Sequence, residues 1–330
     1  MAGFDIKSLF RSDAKPVKGL VALEKAVVCY ALFTLALMFI MRHSLYDIDS
    51  MLLLRVRVAV VMVVLWGAYR LLPCPFTMML RILLQMTMLS GWYSETYEFN
   101  RCFLNLDHVF CGFEQTLFGC QPALEFSRLM PWGIVSEPLD MGYFAFYPII
   151  GFTTYFFFFC RPQQFLKAAY IIMASFFLFY SIFIFLPVAG PTFYFKAVGV
   201  DIIEQGVFPS LGHYFATRHD LAGDCLPSPG WSGGVFWQLV EFAKWAGERP
   251  TAAFPSSHVG VTVVCMWLLW DSRNRKVFYS VLPFAVLMFL ATFYIQAHYL
   301  IDSIAGLVVG TAFFFVLSSA YDHFTCRTKT

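Results

Sequence analysis

Long apolar runs separated by short polar breaks dominate this chain. At about 20 apolar residues per membrane crossing, the pattern predicts eight helices, near 21–41, 52–71, 76–93, 142–160, 166–188, 255–270, 277–296 and 299–319. Arg55 and Arg57 open the second, and Arg81 and Gln85 lie within the third, which also reads as an interfacial helix. The stretch 94–140 is too polar to cross. Its apolar positions are Val109, Phe110, Phe113, Leu117 and Phe118, then Leu124, Phe126 and Leu129. Their helical spacing predicts amphipathic helices lying in the interface. The stretch 189–254 is rich in Gly and Pro, with a turn expected at Pro227-Ser228-Pro229-Gly230. A connection of that length in a compact protein is usually functional.

Composition places this pattern in a bilayer. Apolar residues make up 59% of the chain, charged residues 13%, and the mean hydropathy is +0.66. Soluble domains are closer to 45–50% apolar and about 25% charged, so the fold class expected is an all-α polytopic membrane protein. A formal net charge of +2 gives no electrostatic basis for nucleic-acid binding. The 39 phenylalanines and 16 tyrosines read first as lipid-facing and interfacial bulk. Residues 1–19 are polar and basic, and the run that follows is as long as a full crossing and lacks a small-residue cleavage site, which reads as a first transmembrane helix. No internal repeat or low-complexity linker is visible. The expected organisation is an N-terminal segment 1–20, N-terminal transmembrane helices 21–93, a catalytic region 94–320 with a six-helix core, and a tail 321–330.

Positive residues set the expected orientation. Arg161 and Lys167, then Arg273, Arg275 and Lys276, then Arg327 and Lys329 all fall on the side of the N-terminus, which is taken as cytoplasmic. The segment 94–140 falls on the other side and carries Glu95, Glu98, Asp107, Glu114, Glu125, Glu137 and Asp140 against Arg101 and Arg128. Arg42, Arg55 and Arg57 dissent. None of the nine cysteines forms a metal-ligand spacing, so neither a metal nor another cofactor is expected. Cys102, Cys111, Cys120 and Cys225 lie in segments expected outside, where oxidation could join a pair.

Candidate chemistry sits at the ends of these runs. Ala253-Phe254-Pro255-Ser256-Ser257-His258 opens the sixth predicted helix, and His298-Tyr299-Leu300-Ile301-Asp302 opens the eighth. With this topology both histidines lie at the outer (periplasmic or lumenal) boundary. Histidine titrates near neutral pH and can attack or carry a proton there. His298 and Asp302, four residues apart, share a helix face, so the carboxylate can orient the imidazole and support its cation. Ser256 and Ser257 stand at a helix start whose unpaired N–H groups form a ready phosphate site. The alternative reading of each half is structural: an interfacial histidine, and a hydrogen-bonded pair at an exposed helix end.

Ala253–His258 and Ala291–Asp302 resemble the second and third motifs of the type 2 phosphatidic acid phosphatase superfamily, Pro-Ser-Gly-His and Ser-Arg-x5-His-x3-Asp. Ser257 stands where the phosphatases have glycine, and Ala291-Thr292 where they have Ser-Arg. The first motif is matched loosely, by Gly190-Pro191-Thr192-Phe193-Tyr194 or by Arg249-Pro250 with Lys244 nearby. The missing arginine, the segments Leu106–Phe110 and Phe118–Pro122, and Gly142-Tyr143 with Phe146-Tyr147-Pro148 are similar to the inositol phosphorylceramide synthase branch. The resemblance implies that His298 attacks phosphorus, Asp302 orients it and His258 protonates the leaving lipid oxygen, through a phosphohistidine intermediate. Cations must neutralise the phosphate; Arg249 and Lys244 are the candidates, with Lys196 and Arg218 behind them.

The function expected from the resemblance is a membrane phosphotransferase with two lipid partners, a phospholipid donor and a lipid alcohol acceptor. Its reaction would move phosphoinositol from phosphatidylinositol to ceramide. The alternative is a lipid phosphate phosphatase acting on phosphatidic acid or a related lipid. A transporter with a His298–Asp302 proton relay would want mid-bilayer charges and inverted repeats, and the sequence displays neither.

Overall fold

The computed structural model describes residues 6–217 and 223–327, so Arg218 lies outside the described residues. The helices are α1 (Ala22–Met41), α2 (Ile48–Leu71), α3 (Pro75–Thr87), α4 (Leu89–Asn100), α5 (Asp107–Phe118), α6 (Pro122–Leu129), α7 (Gly133–Phe144) and α8 (Phe146–Cys160). They continue with α9 (Phe165–Phe185), α10 (Pro191–Val198), α11 (Val200–Glu204), α12 (Tyr214–Thr217), α13 (Val235–Gly247), α14 (Ser257–Asp271), α15 (Arg275–Tyr294) and α16 (Leu300–Arg327). The described residues contain no strand, and the protein is an all-α polytopic membrane protein.

Five helices are long and apolar enough to cross a membrane: α1, α2, α9 with the turn before it, α15 and α16. The pair α7 and α8 makes a sixth if taken as one span, bent by 47° at Ala145. The eight crossings expected from hydropathy are therefore fewer as continuous helices, for local reasons. The run 76–93 breaks at Met88 into α3 and α4. Its Arg81 is fully buried against α1, where Nε donates to Glu24 Oε1 at 2.6 Å and Nη2 donates to the Gly19 carbonyl at 3.0 Å. Gln85 Nε2 reaches the same carboxylate oxygen at 3.0 Å. The Arg81 and Glu24 charges are thus paired within the protein, as a low-dielectric setting requires. Arg55 forms a second such pair with Glu95, fastening α2 to α4. The run 255–270 yields α14, apolar but only 15 residues long.

Helix α9 is the axis of the bundle, with α1, α4, α8, α14 and α16 packed around it. Its span is 72% buried, the highest of the five. Gly306 and Gly310 on α16 lie against the backbone of Ser256 and Gly260, and Gly260 in turn faces the Phe179 ring of α9. A side chain at any of the three would collide. This small-residue contact lets helices approach closely without a hydrophobic drive between them, and it seats α14 beside α16. An apolar groove of about 610 Å³, lined by Val259, Met266, Trp267, Leu282, Phe289 and Leu307 among others, runs between α14, α15 and α16.

Helix α5 has its amphipathic faces reversed. Asp107, Cys111 and Glu114 are buried, whereas Val109, Phe113 and Leu117 are exposed. That arrangement fits the interfacial placement expected for 94–140. At the other end of the bundle Arg161 donates to the Ser272 carbonyl at 3.3 Å, and Lys167 pairs with Asp322 at 2.7 Å. The basic turns α8–α9 and α14–α15 are thereby gathered opposite the two histidines. Cys102, Cys111, Cys120 and Cys225 are free thiols rather than a disulfide pair.

Candidate active site

His258 lies in the first turn of α14. The Ser256 side chain caps that helix, its Oγ accepting the Val259 N–H at 3.3 Å. The Ser256 N–H donates to the Asp302 carbonyl at 3.0 Å, tying the start of α14 to the start of α16. His298 sits in the tight turn between α15 and α16, where its N–H donates to the Thr292 carbonyl at 3.0 Å. Each of the two histidine-bearing loops carries a non-glycine residue in the left-handed region, Ala252 at φ +68° and Gln296 at φ +63°. Such a conformation costs about 1–2 kcal/mol and persists where surrounding contacts over-determine it, as at functional sites.

The two histidines meet. His258 Nδ1 lies 3.2 Å from His298 Nε2, with ring centroids 5.4 Å apart. His298 Nδ1 lies 2.8 Å from the Ala253 carbonyl, an acceptor only, so Nδ1 carries the hydrogen and Nε2 keeps its lone pair. Burial pushes the His298 imidazole down to about 4, with the Ala253 hydrogen bond and the Glu248 charge pulling the other way. At neutral pH the ring is uncharged, with a nucleophilic nitrogen facing His258. On its other side His258 packs against Tyr143 and Phe146, at centroid distances of 4.9 and 4.5 Å.

Asp302 is placed differently from its expected contact. Its Oδ2 accepts the Tyr299 N–H at 2.9 Å and stands 3.7 Å from His298 Nδ1, beyond hydrogen-bond reach. The Ala253 carbonyl fixes the tautomer, and the Asp302 carboxyl lies beside the imidazole without bonding to it. Neither group is at an exposed helix end: His298 is 3% exposed and Asp302 is fully buried. The α5 helix and the 188–192 segment cover them.

That cover rests on Asp107, for which the sequence offered no role beyond its place in the Leu106–Phe110 segment. The buried carboxylate accepts the N–H groups of Ala189 and Gly190 at 2.7 and 2.8 Å, the Tyr299 hydroxyl at 2.8 Å and the Asn105 amide. The fixed segment then reaches both loops, as Ala253 N–H donates to Val188 O at 3.1 Å and Thr192 N–H to Gln296 O at 2.8 Å. Gly190, at φ +90°, permits this path because a Cβ there would stand 2.7 Å from the Ala297 carbonyl. Glu114 accepts the Ile301 N–H at 3.0 Å, and burial pushes its carboxyl up to about 8.

The phosphate-binding candidates differ in their surroundings. Ser257 is buried beside Ser256 at the helix start. Lys244 is buried, with Nζ 3.3 Å from the Leu226 carbonyl and 3.4 Å from Glu241. Lys196 is paired with Asp224. Arg249 is half-buried, its Nη1 3.4 Å from the Glu248 carbonyl, and it lies beside Tyr93. Among the described residues no group of three or more His, Cys, Asp or Glu side chains is placed to hold a metal ion.

A helical membrane bundle with a buried and a half-buried histidine facing each other at one end, the buried one uncharged and oriented by a carbonyl, has the makings of a nucleophilic transfer centre. The chain belongs to the PAP2 superfamily, whose family model matches residues 113–316, a span that includes both histidines, Asp302 and the groove. Membership implies lipid phosphatase or phosphotransferase chemistry in a membrane enzyme. Comparison with curated proteins and with solved structures returns no match.

Proposed function

We propose that the protein moves phosphoinositol from phosphatidylinositol to ceramide and releases diacylglycerol. His298 Nε2 attacks phosphorus, the bond to the diacylglycerol oxygen breaks, and His258 delivers the proton that oxygen needs. The ceramide hydroxyl then attacks the phosphohistidine and returns its proton to His258, and the phosphorus–nitrogen bond breaks. Asp302 supports the imidazolium charge of the intermediate. Arg249 is the cation proposed for the phosphate, with Ser256 and Ser257 at the α14 start.

Thr292 carries the choice of transferase over hydrolase. It occupies the position where the phosphatases have arginine, and its hydroxyl is engaged inside the bundle, 2.8 Å from Ser303 Oγ and 2.7 Å from the Phe289 carbonyl. An arginine fork suits a terminal phosphate dianion. A phosphodiester carries one charge and a bulky second ester, and a buried threonine leaves that ester room. The groove between α14, α15 and α16 offers apolar volume for a lipid tail beside the first turn of α14.

The second reading, a lipid phosphate phosphatase, rests on Arg249, whose guanidinium would replace the missing fork. Purified protein given labelled phosphatidylinositol, with and without ceramide, and phosphatidic acid in parallel, separates the two. The transferase reading expects ceramide-dependent diacylglycerol release. Fast phosphate release from phosphatidic acid without ceramide dependence would establish the phosphatase.

A further inference from the structure

Glu248 is out of place in a site for phosphate. It stands one tyrosine away from the catalytic pair: Tyr143, whose ring packs on His258 at 4.9 Å, donates its hydroxyl to Glu248 Oε1 at 3.0 Å. Its negative charge reaches His298 and the hydroxyls of Tyr93 and Tyr147. A carboxylate at that range repels an incoming phosphate, so its presence calls for a partner other than phosphorus. Tyr143 is buried, but Glu248 and Tyr93 are half-buried and Tyr147 is 71% exposed, so the carboxylate and two of the phenols are open to a ligand.

We propose that Glu248, with Tyr93, Tyr143 and Tyr147, forms the head-group subsite and recognises an uncharged polyol through its hydroxyls; this rests on the phosphodiester-transfer reading above. A carboxylate accepts hydrogen bonds from two neighbouring ring hydroxyls, and phenols both donate and accept, so together they match a group that offers only hydroxyls. A quaternary ammonium head group would also be drawn to Glu248, but it needs open aromatic faces. Tyr143 is buried on His258 and Tyr93 lies near Tyr180 at 6.2 Å, which leaves Tyr147 alone with an open face, short of the several that a cationic cage uses. The Arg249 guanidinium, next in sequence, repels a cation and suits the phosphate joined to the polyol.

Binding of soluble head groups to the detergent-purified full chain tests this without any transfer step. Glycerophosphoinositol should raise the melting temperature of the wild type, and glycerophosphocholine should not. Glu248→Gln, which keeps shape and removes charge, should weaken glycerophosphoinositol binding at least tenfold. Tyr147→Phe, at an exposed ring, should weaken it severalfold, and it carries the test if Glu248→Gln does not fold. Equal binding by wild type and variants, stronger binding of glycerophosphocholine, or no binding of glycerophosphoinositol overturns the assignment. Protein that binds glycerophosphoinositol through Glu248 yet transfers nothing to ceramide overturns the transferase reading and leaves the subsite standing.

Discussion

His258 Nδ1 and His298 Nε2 lie 3.2 Å apart, although forty residues separate them in the chain. Because the Ala253 carbonyl holds the hydrogen on His298 Nδ1, the short contact has His258 donating into the lone pair of the proposed nucleophile. For an in-line displacement a phosphate would enter between the two rings and part them, with phosphorus next to one nitrogen and the leaving oxygen next to the other. The contact brings the proposed nucleophile and the proposed proton donor to one site, as the reaction would require.

His298→Ala should abolish turnover, with a loss of several orders of magnitude, as expected for a group that bonds to the reacting atom. The variant should still insert and fold, because the bundle axis α9 and the glycine contacts of α16 do not depend on the ring. Steady-state rates alongside size-exclusion elution check both points. Activity within tenfold of wild type would remove His298 as the nucleophile.

Asp302→Asn should cost activity steeply and also some stability. The carboxylate is fully buried, and Oδ2 accepts the Tyr299 N–H while Oδ1 has no hydrogen-bond partner. Asparagine can keep the Tyr299 bond, but it removes the charge that supports an imidazolium 3.7 Å away. A fully active Asp302→Asn protein would leave Asp302 a purely structural part. Thermal melts of both proteins measure the stability part.

Glu114 predicts a pH dependence of stability. Burial, followed by the hydrogen bond from Ile301 and the Asp302 charge, leaves its folded-state value near 8, against an ordinary 4.5. Between those values the unfolded chain loses its proton first. Stability from this residue is therefore complete below about 4.5 and falls as pH rises towards 8. Glu114→Gln should melt several degrees above wild type at pH 8.5 and near it at pH 4.5. An unchanged difference across that range would refute the buried, protonated carboxyl.

The orientation inferred from the basic turns predicts that the catalytic end faces away from the cytoplasm. A cysteine at Val207 is the suitable probe, because that side chain is exposed. Gly230 is unsuitable: at φ +89°, a Cβ there would stand 2.6 Å from the Tyr294 hydroxyl. A membrane-impermeant thiol reagent should label Val207→Cys in intact cells above the background of the native cysteines. Labelling only after permeabilisation would invert the topology.

The apolar runs by themselves determined the class of fold, because a bilayer admits few solutions for a chain this hydrophobic. The boundary positions of His258, His298 and Asp302 marked them as candidates before any contact was known. Hydropathy could not foresee the break at Met88 or the bend at Ala145. Those depend on local backbone geometry and, for Arg81, on a buried carboxylate contributed by another helix. Nor could spacing show that the Ala253 carbonyl, rather than Asp302, holds the His298 ring, because i,i+4 neighbours share a helix face whether or not they bond. The roles of Asp107 and Glu248 were equally closed to it, since each takes its meaning from partners 82 to 192 positions away: Ala189, Gly190 and Tyr299 for Asp107, and Tyr143 for Glu248. Hydrophobic pattern is a property of neighbours along the chain, and so it determines elements. A buried charge must be satisfied by whatever surrounds it in space, and only the tertiary structure decides what that is.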